Sequence, residues 1–487
     1  MGCIMEEDSL KLKTARTLKW NTIDRLSSQV LYAITGIVLA NLLTPDEFGL
    51  VGAVLVFQAF AALFVDSGFS NALIQKKLPT ETDYCTVFYF NLAMSVAIYV
   101  LLWFCSPLID NLFDAGGRLV APARVMFLAF VINATAIVQT NRLTKRMDVK
   151  MIAVSNTVGL VASGVVGIWL AVAGMGAWAI VWQTIVLAAV KSALLWATSH
   201  WWPRKRFSMA SLRSIFNVGA GIMATSFLNI LFQNIYSFII GAYYNLSKLG
   251  YYTQADKWSK MGVASLSQVV TASFLPILSG CQDDRERFHR MMSKTHKFTA
   301  YVTIPSMLLL AAVATPIFHL LFDTKWDEAI PLFQMLVVRG IFVVMTALYH
   351  NHIIALGAAR RLVYSEAVKD ALAIVAIVAT IPFGVWWLVA GQVAASFLHY
   401  VYAVWLTAST TGYGVRMILR EPMPYVGISL VALVPVVLLP QELSSPLVLL
   451  PVQLVVFAVI FIGINSMLHS RIQQEVISYI FKRKISK

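Results

Sequence analysis

Charge is what this 487-residue chain has least of: Asp, Glu, Lys and Arg make up 13% of it, against 59% hydrophobic residues. A soluble globular domain carries about a quarter charged residues, so that class is excluded. The apolar residues come in unbroken runs of about twenty, the length that crosses a bilayer as a helix. Alternating ten-residue strands are lacking, which argues against a β-barrel. Cysteine is scarce too. Of the four, Cys85 and Cys105 share one apolar run and Cys281 sits in a basic loop, so neither a disulfide framework nor a metal-ligand spacing is present. Met1 to Trp20 has no apolar core of a cleavable signal. Met1-Gly2-Cys3 suggests acylation, but the sixth position, which needs Ser or Thr, is Glu6. There is no Gly-rich phosphate loop ending in Lys-Ser or Lys-Thr, no nucleophile with its base and no His/Glu metal motif. Moving a substrate is a better expectation than converting one, and the chain is read as a transporter, not an enzyme.

The apolar runs are 20–43, 48–70, 84–106, 119–140, 151–173, 176–198, 214–241, 256–280, 298–320, 328–350, 362–381, 385–408, 422–440 and 446–468. With the N-terminus cytoplasmic, 28 of the 38 Lys and Arg fall in inside segments, 4 in outside segments (Arg118, Lys248, Lys257, Lys325) and 6 within spans. Positive residues mark cytoplasmic loops, and because the bias alternates at every loop it checks the span count as well as the orientation. The formal charge of +14 therefore needs no nucleic-acid partner; attraction to the anionic inner leaflet accounts for it. Arg285 to Lys297 reads as one of these basic loops, with an amphipathic surface helix as the alternative.

The stretch from Trp20 to Lys77 is the unit the rest repeats. "ANLLTPDEFGL", Ala40 to Leu50, aligns without a gap on "GAYYNLSKLGY", Gly241 to Tyr251, an offset of 201 residues. The same offset carries the polar helical stripe Arg25, Ser28, Tyr32 and Thr35 onto Ser226, Asn229, Gln233 and Tyr236. Six spans separate the copies, so both enter from the same side and the repeats are parallel. The expectation is an all-α polytopic membrane protein of about 14 transmembrane helices, with both termini cytoplasmic. It divides into an N-terminal lobe of helices 1–6 (1–205), a C-terminal lobe of helices 7–12 (206–410), and two accessory C-terminal helices with a basic tail (411–487).

The six basic residues left inside spans are Arg25, Arg124, Lys191, Lys260, Arg339 and Lys369, and the acidic residues at membrane depth are Asp24, Asp66, Asp256, Glu366 and Asp370. A basic residue at the centre of a membrane helix costs ~2.5–3.5 kcal/mol to insert. Arg339, nearest the middle of its span with no acid in reach on its own helix, is the leading candidate. Structural ion pairs account equally well for Asp24 with Arg25, Asp256 with Lys260, Glu366 with Lys369 and Asp370 with Arg339. Read functionally, Arg339, Arg25, Lys191 and Lys369, with Ser28, Asn229 and Gln233, line a cavity for an anionic, sugar-bearing head group. Asp24, Asp66, Asp256 and Glu366 are candidates for coupling to H+ or Na+. The polar residues serve as interhelical hydrogen bonders in the other reading, as does His399.

"LLTPDEFGLVG" (Leu42 to Gly52), "FVDSGFSNALIQKK" (Phe64 to Lys77), "LGYYTQADKW" (Leu249 to Trp258) and "LFDTKWDEAIPLFQML" (Leu321 to Leu336) resemble the bacterial polysaccharide transporter, or Wzx-type flippase, family, and most of all its WzxC-like lipopolysaccharide and exopolysaccharide exporters. The resemblance implies the multidrug/oligosaccharidyl-lipid/polysaccharide superfamily, a V-shaped two-lobe transporter working by alternating access in the inner membrane, and undecaprenyl-pyrophosphate-linked oligosaccharide as substrate. It suggests a groove for the lipid tail beside the last two helices, and the polysaccharide polymerase machinery as a partner. The alternatives are a cation-coupled multidrug exporter of the same fold, a flippase for lipid-linked peptidoglycan precursor, and a non-transporting scaffold of a polymerase complex.

Overall fold

The computed structural model of the chain describes residues 2–66, 72–74, 76, 78–439 and 445–482, with the side chains of 2–15, 64–66, 215, 217–225, 269–272, 477 and 479–482 outside the description. The described residues contain helices and no strand. In chain order these are α1 (Gly2–Leu42), α2 (Pro45–Asp66), α3 (Glu81–Leu112), α4 (Val120–Lys145), α5 (Val149–Val172), α6 (Trp178–Ser199), α7 (Met209–Tyr243), α8 (Leu246–Ser279), α9 (Arg285–Ala312), α10 (Ala314–Leu321), α11 (Ala329–Ala355), α12 (Arg360–Thr380), α13 (Val385–Thr411), α14 (Val415–Arg420), α15 (Met423–Leu438), α16 (Pro446–Met467) and α17 (Arg471–Lys482).

Within the described residues every predicted apolar run falls on a helix, and run 298–320 is a bent pair, α9 and α10, broken by 60°. Among the described residues ten helices are long and apolar enough to cross a membrane, or eleven with the bent pair as one span. The protein is thus a multi-pass helical membrane protein. Three helices fall short of fourteen: α7, in which the side chains of 215 and 217–225 lie outside the description, and two that carry polar residues. α1 carries Asp24, Arg25, Ser27, Ser28 and Gln29 near its middle, and α12 opens on Arg360 and Arg361 and holds Glu366, Lys369 and Asp370. Helices also outrun the apolar pattern. α8 begins at Leu246, ten residues ahead of its run, and so includes Lys248, and α9 begins at Arg285. The basic stretch 285–297 is therefore neither loop nor separate surface helix but the first turns of a long helix, capped by Asp284, whose side chain accepts from the Arg287 N–H at 3.0 Å.

The chain packs as two compact units, Met1–Thr253 and Gln254–Lys487. In the first, α5 lies between α1 and α6, α6 continues onto α4 and α4 onto α3, while α2 packs along α7. Small residues let these helices approach: a side chain on Gly164 would meet the Thr35 hydroxyl of α1 at 2.9 Å, and one on Gly167 would meet Gln183 of α6 at 3.1 Å. In the second unit α11 packs on α13 and α9, α12 on α13, and α9 on α15, which pairs with α16.

The repeated turn has one local logic in both copies. Thr44 caps α2 in a reciprocal box with Glu47, the Thr44 N–H reaching the Glu47 carboxylate at 2.7 Å and the Glu47 N–H reaching the Thr44 hydroxyl at 3.3 Å. Asn245, 201 residues on, caps α8 by accepting from the Lys248 N–H at 2.8 Å. Inside the first unit these two helix starts meet each other. A side chain on Gly49 would collide with the Leu246 carbonyl, and one on Gly250 with the Pro45 carbonyl. Gly49 and Gly250, like Pro45 and Leu246, are equivalent positions of the repeat, so the contact is reciprocal about a local twofold axis. Deeper along the same seam Phe57 of α2, Phe113 and Phe238 of α7 form an edge-to-face triad with centroids 6.0 to 6.3 Å apart. Arg118 reaches the first turn of α2 and donates to Asp46 at 2.7 Å; that hydrogen bond holds its guanidinium above the ordinary arginine range.

Candidate functional site

In the first unit Asn156 of α5 donates to Asp24 at 3.0 Å and to Ser28 at 2.9 Å, both on α1. Next to this contact the Ser27 and Thr157 hydroxyls meet at 3.3 Å, and Thr35 is buried against Gly164. The expected stripe therefore divides. Ser28 and Thr35 face α5, while Tyr32 and Arg25 are exposed. Lys191 is half-buried on α6 beside Gly159 of α5. On α7, Gln233 donates to Asn229 at 3.0 Å and both are exposed. Arg124 is accounted for structurally: it lies over the Trp103 ring at 4.6 Å and donates to Ser106 at 2.9 Å. Asp66 was an expected coupling residue, and its side chain lies outside the described residues.

In the second unit Arg339 of α11 is half-buried and donates through Nε to the Ser396 hydroxyl of α13 at 3.2 Å. Among the described residues no carboxylate comes within ion-pair distance of it, and Asp370, a suggested partner, instead lies 3.7 Å from Lys369. Lys369 also pairs with Glu366. That cation is thus already matched by two carboxylates, whereas Arg339 keeps an uncompensated charge at membrane depth. Asp256 pairs with Lys260 at 2.5 Å, as their i,i+4 spacing suggested.

A buried polar network runs through the second unit, and the sequence pattern did not reveal it. His296 holds Glu421 at 2.8 Å through Nδ1 and Tyr349 at 2.8 Å through Nε2. Glu421 also accepts from Ser293 and from Tyr413, the latter at 3.0 Å, and Thr295 meets fully buried His352 at 3.2 Å. Ser365 bridges His350 and His399, each at 3.0 Å. His399 is thus a hydrogen-bonding interhelical residue. Six of the eight histidines sit inside helices, and the four of this network, His296, His350, His352 and His399, were concealed by apolar neighbours at helical spacing. Glu421 ties α9 to the start of α15 and so fastens the last helices to the unit. No group of three His, Cys, Asp or Glu side chains able to hold a metal occurs among the described residues.

An all-helical bundle with ten or eleven helices of membrane-spanning length among its described residues defines a multi-pass membrane protein by class. The chain belongs to the polysaccharide biosynthesis protein family, whose sequence profile matches residues 38–331, more than half of its length. It is 27% identical to the succinoglycan biosynthesis transport protein ExoT of Rhizobium meliloti over 67% of this chain and 66% of that one. To the lipopolysaccharide biosynthesis protein WzxC of Escherichia coli it is 25% identical over 68% of each chain. The chain thus spans about two thirds of the length of the curated relatives it matches. The solved lipid II flippase MurJ, in an inward closed conformation, superposes with a TM-score of 0.70 at 14% identity, over 96% of this chain and 100% of that one. An inward-facing MATE family multidrug transporter gives 0.58 at 15% identity, over 79% and 96%. These likenesses show that the chain shares its fold with those structures.

Proposed function

We propose that the protein is an inner-membrane flippase that carries polyprenyl-pyrophosphate-linked oligosaccharide from the cytoplasmic to the periplasmic leaflet for lipopolysaccharide, capsule or exopolysaccharide synthesis. The observation that carries the reading is Arg339, a cation with a neutral hydrogen-bond partner at membrane depth, in a chain of the polysaccharide biosynthesis family. A guanidinium presents paired donors that match phosphate oxygens. In this reading Arg339 meets the pyrophosphate, assisted by Arg25 and Lys191, while Ser28, Asn229 and Gln233 offer hydrogen bonds to sugar hydroxyls. Lys369 serves only when released by Glu366 and Asp370. The two six-helix repeats, 1–205 and 206–410, change their relation during the cycle, and 411–487 is accessory. Outward movement of ~2 negative charges is favoured by roughly 4–5 kcal/mol at 100 mV, at ~2.3 per charge; H+ or Na+ entry through Asp24, Asp256 or Glu366 would add to it. Fourteen spans, cytoplasmic termini and contact with a polymerase complete the proposal.

The test is the amount and sidedness of lipid-linked oligosaccharide in a deletion strain complemented by wild type or Arg339→Ala. Accumulation on the cytoplasmic face with loss of surface polymer, reversed by wild type alone, supports the reading. Normal surface glycan with altered sensitivity to cationic drugs moves the protein to the multidrug branch, and arrested growth with depleted peptidoglycan moves it to the precursor flippases.

A further inference from the structure

We infer that the second unit holds a binding site for the phosphoglycerol head group of an anionic phospholipid, in a cavity separate from the residues assigned to transport. The cavity, of about 460 Å³, lies among the first turns of α9, the start of α15, the end of α16 and the start of α17. That volume is ample for a small head group. Its rim is basic: Arg290, Lys294 and Lys297 come from three successive turns of α9, and Arg471 from the first residue of α17. The acids around it match three of these cations unevenly and leave the fourth. Glu475 pairs with Lys294 at 2.7 Å, and Glu286 reaches Arg290 only at 3.5 Å, in a pair that is largely exposed. Glu421, 3.5 Å from Lys297, is already committed to His296 and Ser293. Arg471 has no ion pair among the described residues. The floor is apolar, made by Tyr425, Ile428 and Ile472, as a site reached by a lipid with its chains in the bilayer requires.

A second observation narrows the ligand. Asn465 lines the same cavity and is 1% exposed. Its amide nitrogen donates to the Phe461 carbonyl at 2.9 Å, which fixes the side-chain orientation. The Oδ1 that remains has no hydrogen-bond partner. A buried acceptor left unmatched is destabilising unless a donor arrives. A phosphate diester brings no donor of its own, and choline brings none either. A glycerol hydroxyl attached to a phosphate supplies the donor and the charge together, which is the chemistry of phosphatidylglycerol. Basic pockets between membrane helices suit such head groups. The concentration of Lys and Arg puts this one at the cytoplasmic leaflet, a placement that rests on the orientation proposed above.

Binding is measured on the purified full chain in uncharged detergent with short-chain phosphatidylglycerol, short-chain phosphatidylcholine, short-chain phosphatidic acid and inorganic phosphate. The expected result is phosphatidylglycerol binding at least tenfold more tightly than the other three. Lys294→Gln with Arg471→Gln, both on the surface, lowers that affinity tenfold or more. Asn465→Leu removes the preference over phosphatidic acid while sparing phosphatidic acid binding. Equal binding of phosphatidylglycerol and phosphatidylcholine by the wild type overturns the proposal without recourse to any variant. Inorganic phosphate binding as tightly as phosphatidylglycerol reduces the site to a phosphate site and overturns the lipid assignment. Displacement of phosphatidylglycerol by equimolar undecaprenyl pyrophosphate reassigns the cavity to the transported substrate, again overturning it. None of these readouts depends on export, so their failure is distinguishable from failure of the flippase reading.

Discussion

At the scale of single residues, Arg339 and Asn156 are opposites in what each spends its side chain on. Arg339 meets one hydroxyl and keeps its charge available. A hydrogen bond to a charged group contributes ~1.5–3 kcal/mol, so Arg339→Ala is expected to slow export roughly ten- to a hundredfold at ~1.4 kcal/mol per decade. Arg339→Lys restores part of it, since the charge returns without the fork; appearance of surface polymer after induction is the measurement. Asn156 joins two side chains of α1 to α5. Asn156→Leu is therefore expected to cost stability, by ~0.6–2 kcal/mol on the scale of polar contacts in membranes, read as a lower thermal midpoint in detergent with a smaller effect on export per folded molecule. Arg339 was legible in the sequence because an isolated charge in an apolar run is conspicuous. Asn156 was not, because a neutral polar residue in a span costs little and gives no hint of its partner. Glu421 was missed for a related reason: it sits at a helix end, where a carboxylate looks solvated, and only the fold brings His296 to it.

At the scale of elements, the sequence announced the helices but not their ends. Apolar runs located each span, yet α8 and α9 start well ahead of theirs because caps, not hydrophobicity, decide where a helix begins: Asn245 and Asp284 do so here. The 201-residue offset was legible and marks the two turns that touch. What the pattern did not reveal is that the repeated placement of Gly49 and Gly250 serves close approach rather than flexibility. Each glycine lies where the partner helix presents a carbonyl. If the seam opens and closes during transport, Gly49→Val or Gly250→Val prevents closure, and export is expected to fall to background while the protein still inserts and folds. A cysteine pair at Gly52 and Thr253, where a side chain on residue 52 would lie 3.1 Å from the Thr253 methyl group, is expected to form a disulfide under oxidation that halts export and is reversed by reductant. Crosslinking without loss of export would show the seam to be static.

At the scale of the whole molecule, composition alone excluded a soluble protein, and the loop charges implied an orientation that packing within either unit cannot test. Reporter fusions at both termini and after Lys325 are the check: cytoplasmic activity is expected at the termini and periplasmic activity at Lys325. The same sign at all three would remove the fourteen-span reading and with it the cytoplasmic placement of the basic cavity.

The reciprocal glycine contact also sets an order of events during synthesis. Gly49 and Gly52 are approached by Leu246, Leu249 and Thr253, so the first copy of the repeat enters the bilayer with its close-approach surface unmet. At ~5–20 residues per second, the ribosome needs roughly 10–40 s to deliver the second copy. Through that interval the bare helix start around Gly49 faces lipid or the insertion machinery, which makes the half-made chain, more than the finished one, the form exposed to quality-control proteolysis.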